Sequence, residues 1–197
     1  MRTETNLPAT VRRIVLTGFM GAGKSTVGAL LAQRLGWRFL DSDTVIEARM
    51  GTTVAEIFSR HGEEVFRALE TETIRDHCSG ERLVLARGGG AVQSSPTREA
   101  LARLDQTCVV FLDAPLAVMV ARCIAEPGAA ERPVLADRDR LSARLTARLP
   151  HYRDAHLTVP TADLTPDAVV EIILEALHDR CVGLSETTRQ KEGFVTR

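Results

Sequence analysis

The sequence predicts an α/β fold built on a parallel β-sheet, and three observations carry that expectation. Short apolar runs alternate with amphipathic segments along the chain between its polar ends. Two of those runs, residues 83–86 (LVLA) and 108–112 (CVVFL), are continuously apolar, as burial on both faces of a sheet demands. A glycine-rich segment, residues 18–23, lies between the first apolar run and the first helical period.

Residues 13–17 (RIVLT) make the first strand. Residues 24–35 follow as a helix, with Val27, Leu30, Leu31 and Leu35 on one face and Gly36 as its C-terminal stop. Residues 37–40 (WRFL) form a second strand. Thr44-x-x-Glu47 and Thr53-x-x-Glu56 have the capping-box pattern and start two short helices, which Gly51 and Gly62 end; residues 63–77 make a third. After the strands at 83–86 and 108–112, residues 117–124 are helical, whereas 126–140, rich in charge, Pro and Gly, form an irregular excursion. Helix resumes over 141–147, and 157–159 supply the last strand. Thr165-Pro166 opens a C-terminal helix with Val170, Ile173, Leu174 and Leu177 inward. Residues 1–10 are polar and expected to be flexible, and apolar periodicity is lost from Cys181 onward, so 181–197 reads as a mobile tail on a single domain over 11–180.

Composition narrows the function classes. Lys plus Arg number 25 against 26 for Asp plus Glu, a net charge of -1, which argues against bulk electrostatic binding to nucleic acid or an anionic membrane. The longest apolar run, residues 116–121, is far short of the roughly 20 residues a membrane span needs. The first ten residues carry no apolar signal core, so a cytoplasmic protein is expected. Cys78, Cys108, Cys123 and Cys181 are widely spaced with no CxxC pair, which favours buried thiols in a reducing compartment over a disulfide or metal site. The His residues lack zinc-ligand spacing, since His151 and His156 are not one helical turn apart. No exposed apolar stripe demands a second copy, and a monomer is expected.

Gly18-Phe-Met-Gly-Ala-Gly-Lys-Ser25 matches G-x-x-x-x-G-K-[ST] after a strand and at the start of a helix. Glycines there let consecutive backbone N–H groups curl around phosphate oxygens, and the helix N-terminus adds its dipole. Lys24 places a charge on the β- and γ-phosphates, and the Ser25 hydroxyl is a Mg2+ ligand. The segment therefore binds a nucleoside triphosphate. Guanine recognition through Asn-Lys-x-Asp is excluded, because Asn6 is the chain's only Asn. A motor or helicase would bring more length and an Asp-Glu pair, whereas Asp113-Ala114-Pro115 lacks the Glu. A kinase acting on a small molecule remains.

Asp41-Ser42-Asp43 ends the second strand, where α/β sheets place their ligands. Phosphoryl transfer needs one carboxylate near the metal and another near the acceptor hydroxyl, and alternate residues of an extended D-x-D would point both ways. Asp43 capping the next helix is the plainer reading, and Asp113 is a rival for the metal role. Arg67 has Glu70 at i+3, on its face a surface ion pair worth about 0.2–0.5 kcal/mol. Gly88-Gly89-Gly90 directly follows a buried strand, so either something approaches the backbone closely or the turn is simply flexible. Arg132-Pro133 lies in the polar excursion, and Arg148-x-Pro150-x-Tyr152 closes the next helix.

Together GFMGAGKST, FLDSD, TVAEIF…GEEVFRALE, RGGGAV, ERPVL and RLPHYRDAH, in that order over residues 11–177, resemble the shikimate kinase family. The loop alone is widespread; DSD with FRxxE, GGGAV, RPxL and RxPxY in sequence is specific. The resemblance implies a three-layer P-loop NTPase fold of the nucleoside-monophosphate-kinase type, with a five-stranded parallel sheet flanked by helices and a mobile lid over residues 125–139. Residues 44–80 would form the shikimate-binding helices. The implied reaction moves the γ-phosphate of ATP to the 3-hydroxyl of shikimate, a step towards chorismate and the aromatic amino acids. By the same likeness, Gly21, Ala22, Gly23, Lys24, Ser25, Thr26, Arg122 and Arg132 bind ATP, with Arg122 beside the adenine and Arg132 reaching the phosphates from the lid. Asp43, Arg67, Gly88, Gly89, Gly90 and Arg148 bind shikimate. Asp43 is the implied base, Lys24 and Arg132 share the catalytic role, and Ser25 and Asp41 (through water) hold Mg2+.

The chemistry agrees. Two arginine forks fix the orientation of a small carboxylate as well as its charge. A closing lid excludes water and suppresses wasteful hydrolysis. A gluconate-type sugar-acid kinase would share the loop, the fold and an anionic acceptor, but the acceptor motifs together favour shikimate. A catalytically silent nucleotide-binding module would show a damaged site, whereas all the residues above are present. Arg87, just before the triglycine, departs from the family's usual small or polar residue, and it fits either a pairing with a nearby carboxylate or an added positive charge beside the acceptor pocket.

Overall fold

The structure, a computed structural model, describes residues 11–78, 80–125 and 137–192, with 180–192 as backbone alone. Arg13–Thr17 (β1), Arg38–Asp41 (β2), Leu83–Ala86 (β3), Thr107–Asp113 (β4) and Leu157–Pro160 (β5) pair in parallel in the order β2-β3-β1-β4-β5. The strands' unbroken apolar runs divide by alternation. Ile14, Leu16 and Val84 join the larger core, whereas Val15, Leu83 and Leu85 join a second core on the other face.

The helices cover those two faces. Lys24–Leu35 (α1), Leu116–Ala125 (α5), Arg138–Arg153 (α6) and Pro166–Glu192 (α7) lie against the larger core through Leu31, Met119, Leu141 and Ile173. Ser42–Met50 (α2), Val54–His77 (α3) and Ser95–Ala102 (α4) lie on the other side, where Ile74 and Leu101 meet the sheet and Ile46, Ile57 and Phe66 form a small core between α2 and α3. Cys78, Cys108 and Cys123 are buried thiols.

Most element starts follow the sequence signals. Gly36 in a left-handed conformation ends α1, and Thr53 with Glu56 forms the complete capping box of α3. Gly62, with φ 81° and ψ 174°, kinks α3 where a helix boundary was expected. The capping box expected at Thr44 does not form. α2 starts two residues earlier, because the Asp41 carboxylate accepts from Asp43 N and caps it. Asp41-Ser42-Asp43 is accordingly not an extended D-x-D; it is a strand end running straight into a helix. The single-turn helix Ala91–Gln93 and α4 were not expected, although Ser94 caps α4 with a Pro in its first turn. α6 starts at Arg138 and continues through Pro150, beyond the expected 141–147. The backbone of α7 runs on to Glu192, past Cys181, where a loss of structure was expected. Residues 1–10, 193–197 and most of the expected lid, 126–136 with Arg132, lie outside the described residues.

The register positions the site. Leu16 pairs with both Ala86 and Val110, and Ala86 with Asp41, so the segments following β1, β2 and β3 emerge at one edge of the sheet.

Candidate active site

The phosphate loop follows β1. Gly18, Gly21 and Gly23 adopt φ of 149°, 71° and 94°. Space is as restrictive as conformation, since a Cβ on Gly18 would come within 2.6 Å of the Leu112 carbonyl, and one on Gly21 would run into the Met119 carbonyl. Lys24 Nζ donates to the Phe19 carbonyl at 2.9 Å. Burial lowers the Lys24 pKa from its ordinary value, against the opposing pull of Asp43 and Asp41. Ser25 Oγ donates to Asp41 Oδ2 at 2.6 Å, so hydroxyl and carboxylate converge at the loop's end. Asp113, the rival carboxylate, enters the described contacts through its backbone carbonyl, which accepts from Thr161 N at 2.8 Å.

On the side towards α3, Asp43 lies in the first turn of α2. Its Oδ1 is buried without a hydrogen-bond partner among the described residues. Burial, then Asp41, raises the Asp43 pKa, while Lys24 and Arg67 oppose the rise. Ser42, wholly buried, accepts from Gly88 N at 2.9 Å and fixes α2 to the triglycine turn.

Arg67 and Glu70 are not the surface pair their spacing suggests. Arg67 Nη1 donates to Glu70 Oε2 at 2.8 Å, and the Glu70 side chain is 0% exposed. Burial pushes the Glu70 carboxyl up to about 7, with Arg67 pulling it down. Arg67 Nε and Nη2 both donate to Glu63 Oε1, at 3.3 and 3.0 Å, and the guanidinium packs over the rings of Phe58 and Phe66.

The triglycine turn is a matter of close approach, not of flexibility or positive φ. A Cβ on Gly88 would lie 2.5 Å from Glu70 Oε1 and 2.7 Å from Asp43 Oδ1, and one on Gly90 would fall on the Arg67 guanidinium. Gly89 backs onto Gly18, and its carbonyl accepts from Tyr152 OH. Tyr152, buried at the end of α6, stacks on Phe111 with ring centroids 5.2 Å apart. One turn earlier, Arg148 Nε donates to Gln93 Oε1 at 2.9 Å, with its guanidinium over the Phe19 ring.

These contacts gather Lys24, Ser25, Asp41, Asp43, Arg67, Gly88, Gly89, Gly90 and Arg148 into one cluster between the phosphate loop and α3. Arg122 stands apart from it: its guanidinium donates to the carbonyls of Gly21 and Ala162 and to Thr161, tying α5 to the back of the loop. Sequence reading missed the depth of Glu70, the packing of Tyr152 and the burial of Arg87 (5% exposed). The FRxxE spacing was the available signal for Glu70.

A family model described as shikimate kinase matches residues 20–178. A shikimate kinase of Geobacter metallireducens is 42% identical over 184 residues, 91% of this chain and 100% of the relative. The structure of shikimate kinase from Acinetobacter baumannii in complex with shikimate is similar with a TM-score of 0.79 at 38% identity, over 87% of this chain and 95% of that one. A gluconokinase from Sinorhizobium meliloti reaches a TM-score of 0.59 at 19% identity, over 91% of this chain and 99% of its own, which is a likeness of fold alone. Because the family match spans most of the chain and a relative at this identity aligns along its full length, the chain belongs to the shikimate kinase family.

Proposed function

We infer that this chain transfers the γ-phosphoryl group of ATP to the 3-hydroxyl of shikimate, giving shikimate 3-phosphate and ADP. The observation that carries this reading is the cluster itself, where a phosphate loop with Lys24 lies near Asp43, one of whose carboxylate oxygens is buried, and an arginine held by Glu70 over a side-chain-free wall.

In this reading the backbone of Gly21, Ala22, Gly23, Lys24, Ser25 and Thr26 cradles the phosphates at the start of α1. Arg122 braces the loop and flanks the adenine. Lys24, released from the Phe19 carbonyl, neutralises charge growing on the γ-phosphoryl oxygens, and Arg132 joins it from the lid. Arg67 and Arg148 grip the shikimate carboxylate, and Gly88, Gly89 and Gly90 leave room for the ring. Asp43 holds the 3-hydroxyl and accepts its proton; burial raises its pKa, which makes it a stronger base than an exposed aspartate.

The donor set fits Mg2+, since Ser25 and Asp41 offer two hard oxygens 2.6 Å apart beside the loop. Ser25 would hold the ion through its hydroxyl, and the positive charge supplied there when it is bound would offset that of the phosphates. Asp41 would hold it through water. No helix among the described residues is long and apolar enough to cross a membrane. We take the protein to be a cytoplasmic monomer whose partners are its small-molecule substrates, with no role for nucleic acid or membrane.

The test is ADP release by the purified protein with ATP and Mg2+ in the presence of shikimate, gluconate or no acceptor. Release with shikimate alone supports the reading, and release without acceptor refutes it. Arg132→Ala is expected mainly to lower kcat and Arg67→Ala mainly to raise the shikimate KM; full kcat in Arg132→Ala would remove Arg132 and the lid from the mechanism.

A further inference from the structure

One buried charge at the cleft has no part in that mechanism. Arg87 follows β3, and its Nη2 donates to Thr17 Oγ1 at 3.0 Å, at the entry to the phosphate loop. Its Nε is buried with no hydrogen-bond partner among the described residues. A guanidinium left partly unpaired away from water is costly unless opposite charge faces it. Glu70 supplies that charge and is the largest favourable electrostatic neighbour of Arg87, with Tyr152 also favouring the cation and Arg98 opposing it. Glu70 Oε1 is itself buried and unpartnered, and it lies 2.5 Å from where a Cβ would stand on Gly88, the residue after Arg87.

We propose that Arg87 is a positioning residue for the acceptor: its buried charge offsets that of Glu70, which keeps Glu70 bonded to Arg67 and the Arg67 fork aimed at the acceptor carboxylate, while the bond to Thr17 fixes this assembly to the phosphate loop. The proposal rests on the shikimate reading for the identity of the acceptor but not for the coupling between Arg87 and Glu70. The groups facing Glu70 are Arg67 on its own helix, Asp43 on α2 and Arg87 after β3. Burial and Asp43 push its carboxyl up, to about 7, and Arg67 and Arg87 hold it down. Without Arg87, Glu70 takes up its proton at higher pH and releases Arg67.

The test pairs two measurements on the parent, Arg87→Met and Arg87→Lys. Carbon NMR of the glutamate carboxyls in the protein alone, with Glu70→Gln to assign the signal, follows the Glu70 midpoint against pH. It is expected to rise by about one pH unit or more in Arg87→Met and to stay near the parent's in Arg87→Lys. With shikimate as the varied substrate, KM is expected to rise about tenfold in Arg87→Met, with kcat and the ATP KM within about twofold of the parent. The acid limb of kcat/KM should move up with the Glu70 midpoint. Arg87→Met combined with Glu70→Gln should show no further movement of that limb. An unmoved Glu70 midpoint in Arg87→Met overturns the proposal. So does a moved midpoint with an unchanged acceptor KM, or a limb that moves equally in the Glu70→Gln background. A parent that turns over no shikimate refutes the proposed function instead, and the NMR titration still decides whether Arg87 and Glu70 are coupled.

Discussion

At the phosphate end of the cleft, residues 18–25 form one contiguous turn whose geometry is set by backbone, with Gly18, Gly21 and Gly23 at positive φ and the first two packed against the carbonyls of Leu112 and Met119. At the acceptor end the groups arrive from four separate elements: Asp43 from α2, Arg67 and Glu70 from α3, the triglycine turn after β3, and Arg148 and Tyr152 from α6. They are held by buried charge and by the absence of side chains on three glycines. The first design tolerates little change in shape, because bulk there meets main chain. The second tolerates little change in charge or in side-chain volume, and its failures fall on one substrate. Damage to the phosphate end should therefore appear in kcat and ATP binding, and damage to the acceptor end in the shikimate KM.

Asp43 sits where the two ends meet, and its substitution gives the largest expected effect. Asp43→Asn keeps the volume and removes the carboxylate, so kcat should fall by about 10²–10⁴-fold with ATP binding unchanged. A change confined to the shikimate KM would make Asp43 part of the acceptor grip alone and shift the boundary between the ends. Gly90→Ala sharpens the contrast. Gly90 has φ -91° and ψ -11°, which alanine adopts freely, and the obstacle to a Cβ is the end of the Arg67 side chain. The protein should fold and bind ATP normally while kcat/KM for shikimate drops about 10–100-fold as the fork is displaced. Loss of ATP affinity in that variant would mean the two ends are not separable.

Tyr152→Phe probes the joint between them, since the Tyr152 hydroxyl bonds the Gly89 carbonyl and Gly89 backs onto Gly18. Burial pushes the Tyr152 pKa up to about 12, so the hydroxyl remains a donor throughout the working range. The variant should lose about 1–2 kcal/mol in urea unfolding, read from the midpoint at constant m. It should raise the shikimate KM a few-fold with little effect on ATP binding, and an unaltered urea midpoint would show that the joint is held by the Phe111 stack alone.

The same contrast explains what was legible in the sequence. The phosphate loop was readable because strand, glycines and helix are adjacent in the chain, and β3 was readable to its ends because a strand buried on both faces is apolar throughout. Thr53 announced α3, but the competing signal at Thr44 misled, since the Asp41 carboxylate reached the helix N-terminus first. α4 is eight residues long with only Thr97 and Leu101 buried, too few turns to establish a period. Spacing showed that Arg67 and Glu70 are neighbours but not that they are deep, because depth comes from Gly88 and Gly90 on a distant segment. For Arg87 the sequence left two readings, a carboxylate pairing or a positive charge at the acceptor pocket. The structure buries Arg87 and bonds it to Thr17, with Glu70 as an electrostatic neighbour and not as a hydrogen-bonded partner.

The smallest effect is expected at the rim. Glu63 Oε1 accepts from Arg67 Nε and Nη2, the same edge of the guanidinium that would receive a carboxylate in a two-pronged bond. An acceptor bound there must displace it. Glu63 is 61% exposed, so the pair is worth about 0.2–1 kcal/mol, and Glu63→Gln should lower the shikimate KM by about 1.4- to 5-fold with kcat unchanged. The advantage should shrink as salt is raised, because the parent's ion pair is screened as well. The buried bond from Arg67 Nη1 to Glu70 should be far less sensitive to salt, being out of reach of mobile ions. A higher KM in Glu63→Gln would reverse the assignment: Glu63 would then be aiming the Arg67 fork rather than competing for it, and the acceptor end would depend on a solvent-exposed charge as well as on its buried ones.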